Sequence, residues 1–164
     1  MKLIMHKFKS IDKEIIVNRS MSDVWEIWTT KEGVLTFFAP AANLELKIGG
    51  SYEMLFDLKQ PPGKQGSEGS KILSYLPNKM LSFDWNAPLE FGRLRDEKTV
   101  VVILFDDPGN QKTRVNLSHI GWGEDAKWNK LYEYFDRAWD IVLGRLKYSL
   151  ETAPIDWSNP YSPS

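Results

Sequence analysis

The chain offers few side chains suited to proton transfer or metal binding, because it contains only two histidines, His6 and His119, and no cysteine. A zinc site needs three or four His, Cys or carboxylate ligands at short spacings, and the sequence has no such cluster. The glycine-rich loops that hold phosphates and the Gly-x-Ser-x-Gly turn that presents a nucleophile do not occur either. The sequence therefore predicts no metal, no cofactor and no set of catalytic residues, and it disfavours an enzyme.

His119 is the one residue that invites a catalytic interpretation. It alternates with Leu117 in a strand-like segment, which directs both side chains to the same face of a sheet. A general acid or base also needs a partner within hydrogen-bonding distance, and the sequence offers three candidates without placing them: Ser82, Asp84 and Tyr132. The interpretation we favour is a structural histidine that is hydrogen-bonded to the backbone or to a tyrosine.

Aromatic residues make up 13% of the chain, with seven Trp, eight Phe and six Tyr. Four of them follow the spacing of one helical face near the C-terminus, in an apolar pattern of about 25 residues: Trp128, Tyr132, Phe135 and Trp139. These rings either fill a core or form the wall of an apolar pocket. A dry pocket of ~300 Å³ would cost roughly 7 kcal/mol, against a total stability of about 5–15 kcal/mol. The space beside the stripe is therefore filled by rings, by water or by a ligand.

The elements that would position these residues follow from the periodicity of the apolar residues. Ser20 and Thr30 are placed to cap two short helices. Alternation then predicts a hairpin with a two-residue turn at Gly49 and Gly50, followed by a Pro- and Gly-rich loop over 59–68 that we expect to be flexible. The predicted elements are strands over 11–17, 44–48, 52–56, 70–76, 81–85, 99–105 and 113–119, short helices over 21–29 and 30–38, and a final long helix.

Several segments resemble those of one protein superfamily, and their order and spacing are more specific than any one of them. They are VNRSMSDVW at 17–25, FFAP at 37–40, IGGSY at 48–52, LSFDWNAP at 81–88, TRVNLSHIGW at 113–122 and YFDRAWDIVLGRL at 134–146. Together they resemble the SRPBCC or START-like superfamily (helix-grip, birch-pollen-allergen-like). The resemblance is greatest to its branch of activator of heat-shock-protein-90 ATPase homologues.

The resemblance implies an α+β helix-grip fold. In this fold a curved antiparallel sheet of about six or seven strands wraps round a long C-terminal helix, with two short helices after the first strand. It also implies a single domain over residues 1–151. We expect the Pro-rich tail over 152–164 to be flexible, although Trp157 and Tyr161 offer contacts to the domain or to a second copy.

The resemblance further implies a cavity between the sheet and the C-terminal helix, since members of the superfamily bind sterols, lipids, hormones or polyketides. We therefore expect a non-catalytic binding or carrier module for a small apolar or aromatic ligand. The alternatives are a cyclase- or hydrolase-type enzyme that uses the same cavity, and a co-chaperone-like interaction domain that regulates a chaperone ATPase. The residues expected to line the cavity are Phe38, Met54, Phe56, Trp85, Phe91, Leu117, His119, Trp128, Tyr132, Phe135 and Trp139.

Composition narrows the range of partners. A net charge of −1 is unlike that of nucleic-acid-binding proteins, which carry a positive excess. No apolar stretch reaches the ~18 residues of a membrane span, and no signal-peptide core is present, so we expect a cytoplasmic protein.

Leu89 and Phe91 make the loop over 86–95 unusually apolar, which predicts either a lid over the cavity or a dimer contact. A homodimer and a chaperone complex are the protein assemblies left open.

Overall fold

The structure is a computed structural model, and it describes residues 8–163, so His6 lies outside the described residues. A strand and two short helices come first, six strands and a 3₁₀ segment follow, and a long helix ends the fold. The elements are β1 (Ile11–Val17), α1 (Met21–Thr29), α2 (Lys31–Val34), β2 (Ala41–Leu44), β3 (Tyr52–Leu55), β4 (Ile72–Leu76), β5 (Met80–Trp85), the 3₁₀ segment Leu89–Asp96, β6 (Thr99–Asp106), β7 (Thr113–Ile120) and α3 (Ala126–Glu151).

Five strands form one antiparallel sheet in the order β1-β7-β6-β5-β4, and β2 pairs with β3 as a separate hairpin. Backbone hydrogen bonds join that hairpin to the β4 edge, because Tyr52 N donates to Ser70 O and Ile72 N donates to Gly50 O, each at 2.9 Å. The seven strands therefore make one curved surface. This arrangement, with α3 on its concave side, confirms the predicted α+β helix-grip fold.

The two short helices begin where the capping pattern predicts. Ser20 Oγ accepts a hydrogen bond from Asp23 N at 3.3 Å, and Thr30 Oγ1 accepts one from Gly33 N at 3.0 Å. α2 is shorter than the sequence suggested and gives way to a turn over residues 35–38. Gly33 lets α2 approach α1 closely, since a Cβ at this position would lie 2.3 Å from the Cα of Ile27.

The two-residue turn predicted at Gly49 and Gly50 is wrong. β2 ends at Leu44, and Ile48, which was expected on the strand, is 74% exposed. The chain turns over a longer loop, in which Gly50 N donates to Lys47 O at 2.9 Å, and of the two glycines only Gly49 has a positive φ, at 81°. The alternation that suggested a continuing strand therefore belongs to a loop whose apolar residues face solvent.

α3 packs its apolar face against the concave side of the sheet. Asp125 Oδ1 accepts a hydrogen bond from Trp128 N at 3.0 Å and caps the helix. Lys13 on β1 pairs with Asp136 at 2.9 Å and with Asp140 at 3.1 Å, which ties the edge of the sheet to the helix. The buried residues of the helix are Trp128, Leu131, Phe135, Trp139, Leu143, Leu146 and Leu150.

The segment after α3 lies against the body of the protein. Ile155 is 6% exposed, and its N–H donates to Thr36 O at 2.9 Å. Trp157 Nε1 donates to Leu35 O at 2.7 Å, and the ring of Tyr161 stacks on Tyr148 with 4.3 Å between centroids. These contacts match the alternative in which the two aromatic residues dock on the domain. The division into a domain over 1–151 and a flexible tail over 152–164 stays a prediction.

No helix among residues 8–163 combines the length and the apolar character that crossing a bilayer requires.

Candidate functional site

A cavity of about 660 Å³ lies between the second half of α3 and two loops, one over residues 56–66 and one over 85–95. Its volume falls within the roughly 300–1,000 Å³ typical of small-molecule sites. The side chains of Gln60, Lys64 and Glu90 are exposed and form the rim. The remaining lining residues are Phe38, Phe56, Asp57, Gln65, Gly66, Trp85, Asn86, Ala87, Pro88, Leu89, Arg95, Tyr134, Phe135, Ala138, Trp139, Ile141, Val142 and Arg145.

Three aromatic rings form the floor of this cavity. The ring centroids of Phe38 and Trp85 lie 5.7 Å apart, those of Trp85 and Trp139 also lie 5.7 Å apart, and those of Phe38 and Trp139 lie 6.0 Å apart. Phe56 approaches Trp85 at 6.5 Å and is 45% exposed. The three floor rings are only 1–4% exposed, so they close the cavity from behind, and the apolar lining side chains that another group could contact directly include Phe56 and Leu89.

Buried hydrogen bonds behind the floor fix the position of Trp139. Trp139 Nε1 donates to His119 Nδ1 at 2.9 Å, and because an indole only donates, Nδ1 carries no proton. The proton is therefore on Nε2, which donates to Thr99 Oγ1 at 2.7 Å, and that hydroxyl donates to Trp85 O at 3.4 Å. Burial lowers the pKa of His119 to about 3, so its ring is neutral at physiological pH. The chain of bonds connects both tryptophans of the floor.

His119 thus satisfies its hydrogen bonds within the protein, and it does not line the cavity. The three acid–base partners suggested by the sequence lie elsewhere. Asp84 Oδ1 accepts from Lys71 N at 2.7 Å, Ser82 Oγ shares a hydrogen bond with Ser74 Oγ at 2.6 Å, and Tyr132 donates to Ser10 O at 3.0 Å. The histidine is a positioning residue for the cavity wall.

The structure brings together five of the eleven residues that the sequence predicted for the cavity: Phe38, Phe56, Trp85, Phe135 and Trp139. The other six do not line it: Met54, Phe91, Leu117, His119, Trp128 and Tyr132. Met54 and Leu117 are buried in the core, and Phe91 packs against Tyr134, with 5.9 Å between their centroids. Whether the five lining residues bind a ligand stays a prediction.

Trp122 explains why the first half of the aromatic stripe is closed. Its ring lies 5.2 Å from that of Tyr132, 6.3 Å from that of Trp128 and 4.4 Å from that of His119. The sequence offered core packing and a pocket wall as alternatives, and the structure has both. The first half of α3 is packed with rings, and the second half borders the cavity.

Arg95 holds the loops around the cavity. Its Nη1 donates to Ala87 O at 2.6 Å, and its Nη2 donates to Gly63 O at 3.2 Å and to Gly66 O at 3.4 Å. Asn86 Nδ2 also donates to Gly66 O, at 3.2 Å. The loop over 59–68, which its Pro- and Gly-rich composition predicts to be flexible, is therefore anchored to the opposite wall at several points. Arg95 and Asn86 were missed because nothing in the sequence shows which loops meet in space.

Ala138, Val142 and Arg145 were also missed. They lie at helical spacing along the side of α3 that borders the cavity, so the helical period is the signal in the sequence that places them beside the aromatic residues. Among residues 8–163, no group of three His, Asp or Glu side chains is placed to hold a metal ion.

A sequence model of one family, described as Activator of Hsp90 ATPase homolog 1-like protein, matches residues 18–151. A search of curated proteins finds no match to the chain. The solution structure of the Aha1 dimer from Colwellia psychrerythraea is similar in fold, with a TM-score of 0.66 and 17% identity over 88% of this chain and 98% of that chain.

Two further solved structures show the same fold. A crystal structure of a Mesorhizobium loti protein has a TM-score of 0.69 and 15% identity over 90% of this chain and 100% of that chain. The solution structure of a Bacillus halodurans protein has a TM-score of 0.64 and 22% identity over 90% of this chain and 100% of that chain. At these identities the likeness shows the fold alone.

Proposed function

Because the chain belongs to the family of activator of Hsp90 ATPase homolog 1-like proteins, and because its fold encloses a cavity, we propose that it is a non-catalytic binding or carrier module for a small apolar or aromatic ligand. The observation that carries the proposal is the cavity of about 660 Å³ with Phe38, Trp85 and Trp139 as its floor. The space opens to solvent between the two loops, so water fills it in the absence of a guest. An apolar guest would gain by displacing that water from the exposed apolar lining, which includes Phe56 and Leu89.

The polar groups of the cavity favour binding over catalysis. The two carboxylates that line it, Asp57 and Glu90, are exposed on separate loops. His119, the candidate for acid–base chemistry, is shielded from the cavity by Trp139, to which it is hydrogen-bonded. A cyclase or hydrolase would need an acid or base within reach of the guest, and both of these carboxylates lie at the exposed edge of the cavity, away from its aromatic floor.

The test begins with native mass spectrometry of freshly purified protein, followed by thermal-shift measurements with a panel of aromatic and lipid-like molecules. We expect either a co-purified guest or a ligand-dependent rise in Tm. Ala138→Phe, which places a ring inside the cavity, should abolish both effects. Ala126→Phe is the matched control, because Ala126 is exposed in the first turn of the same helix. No guest and no shift with any member of the panel would refute the proposal.

A second candidate function is regulation of a chaperone ATPase, which the description of the family suggests. One feature of the surface favours it. Leu76, Met80 and Leu104 are cross-strand neighbours on the outer face of the sheet, and the two leucines are 55% and 48% exposed. Such a strip fits a protein contact. Chaperone ATPase rates measured with wild-type protein and with Leu104→Ser test it, and equal rates with and without the wild-type protein would exclude it.

The same strip is available to a second copy, and the Colwellia relative is described as a dimer. A homodimer of this chain stays a prediction, which light scattering of the purified protein would decide.

A further inference from the structure

Arg145 is a half-buried cation at one end of the cavity. It lies on α3 beyond Ala138 and Val142, on the side of the helix that borders the cavity. Most of the surrounding wall is apolar, so the guanidinium there has exchanged part of its hydration for contact with protein. A charge in such a place is costly unless an opposite charge or a set of acceptors compensates for it.

The segment after α3 holds the side chain of Arg145 by one hydrogen bond and one ring contact. Nε of Arg145 donates to Tyr161 O at 2.8 Å, and the guanidinium carbon lies 5.5 Å from the ring centroid of Trp157. Among residues 8–163 neither Nη atom has a hydrogen-bond acceptor, and no carboxylate forms an ion pair with Arg145. Burial accordingly lowers the pKa of Arg145. Within residues 8–163, two donors are therefore left without a protein partner.

The other cations of the cavity differ in this respect. Arg95 uses both Nη atoms on backbone carbonyls of the surrounding loops, so its donors are already satisfied. Lys64 stands exposed on the rim, where water solvates its ammonium group. Arg145 therefore differs from both of the others, because it combines partial burial and a fixed Nε with two Nη atoms that have no acceptor in the described part of the chain.

We propose that Arg145 binds the anionic group of the guest, so that the ligand is an amphiphile with an aromatic or aliphatic body and one carboxylate or comparable anion. The body would pack on the accessible apolar side chains of the wall, such as Phe56 and Val142, and the anion would accept hydrogen bonds from the two Nη atoms. A guanidinium suits this task because its parallel N–H groups match the two oxygens of such an anion. This inference rests on the proposed binding function and adds the chemical class of its ligand.

Two fluorescent dyes test the inference, since 8-anilinonaphthalene-1-sulfonate and N-phenyl-1-naphthylamine share an aromatic skeleton and differ in the sulfonate. Both are titrated into wild-type protein, Arg145→Gln and Arg137→Gln. Arg137 is the matched control because it is an exposed arginine on the same helix. We expect Arg145→Gln to weaken binding of the sulfonate dye about tenfold and that of the neutral dye less than twofold. Arg137→Gln should leave both affinities unchanged.

Arg145→Lys keeps the charge and loses the paired donors, so it should restore part of the affinity for the sulfonate dye. Ala138→Phe should remove binding of both dyes, which shows that they occupy the cavity. Equal weakening of both dyes by Arg145→Gln, or no effect on either, would overturn the role of Arg145 and leave the binding function intact. Failure of the wild-type protein to bind either dye would overturn the inference, and it would overturn the binding function as well if the ligand panel also gave no guest and no shift. Unchanged binding by Ala138→Phe would place the dyes elsewhere and overturn the inference.

Discussion

Acidification from pH 7.5 to pH 5.0 should destabilise this protein through His119. In the folded state Nδ1 accepts from Trp139 and Nε2 donates to Thr99, and burial lowers the pKa of the ring to about 3. In the unfolded state the pKa returns to about 6.5. At pH values between these two pKa values, His119 is protonated in the unfolded chain and neutral in the folded protein. The free energy of unfolding therefore falls as the pH drops below about 6.5, and it continues to fall until about pH 3.

The magnitude follows from the difference between the two pKa values. Each pH unit below the unfolded pKa costs roughly 1.4 kcal/mol, so the loss at pH 5.0 is roughly 2 kcal/mol. Urea unfolding followed by tryptophan fluorescence at several pH values measures it, with His119→Gln as the comparison. His119→Gln should be less stable at pH 7.5, because it loses the hydrogen bonds to Trp139 and Thr99. Its disadvantage should shrink by roughly 2 kcal/mol at pH 5.0, since it lacks the titrating ring.

All other titrating groups are present in both proteins, so their contributions cancel in the comparison. If the unfolding free energies of the wild-type protein and His119→Gln differ by the same amount at pH 7.5 and at pH 5.0, the reasoning is refuted. An independent measurement uses the wild-type protein alone, by following the His119 ring resonances in an NMR titration. A ring that gains its proton near pH 6.5 in the folded protein would show that the buried chain of hydrogen bonds does not hold it neutral.

Three substitutions test how the elements around the site are positioned, each by urea unfolding. Gly33→Ala should destabilise by about 3 kcal/mol, because its Cβ would meet the backbone of Ile27; a loss below about 1 kcal/mol would contradict the close approach of the two short helices. Thr30→Ala should cost about 1 kcal/mol through loss of the cap on Gly33 N, and an unchanged stability would argue against that cap. Ile155→Ala should cost about 2 kcal/mol if the tail is docked as described, whereas a neutral effect would indicate a free tail.

The sequence allowed the architecture to be predicted closely, because the fold depends on local patterns. Helix α1 occupies the predicted residues from Met21 to Thr29, since a cap and an apolar face specify it without distant partners. A continuous β-branched run also located β6, and alternation of apolar residues located β7. The error at Gly49 and Gly50 arose because alternation in a solvent-exposed loop looks the same as alternation in a strand.

The site was harder to predict, since it is made where distant segments meet. The helical period predicts one continuous aromatic stripe, but Trp122, which belongs to the loop before α3, closes its first half. No periodicity reveals that contact. The cavity was therefore placed along the whole stripe, whereas it occupies only the second half, where Ala138 and Val142 leave room.

The side chains at the rim of the cavity make few contacts that stabilise the fold. Gln60, Lys64 and Glu90 are exposed, and among residues 8–163 these side chains form no hydrogen bond or ion pair. Substitutions there can accumulate without loss of foldability, while each one alters the shape and charge of the entrance. The entrance can thus change during evolution, and with it the selectivity of the proposed binding function, while Trp85, Trp139 and the histidine behind them hold the floor fixed.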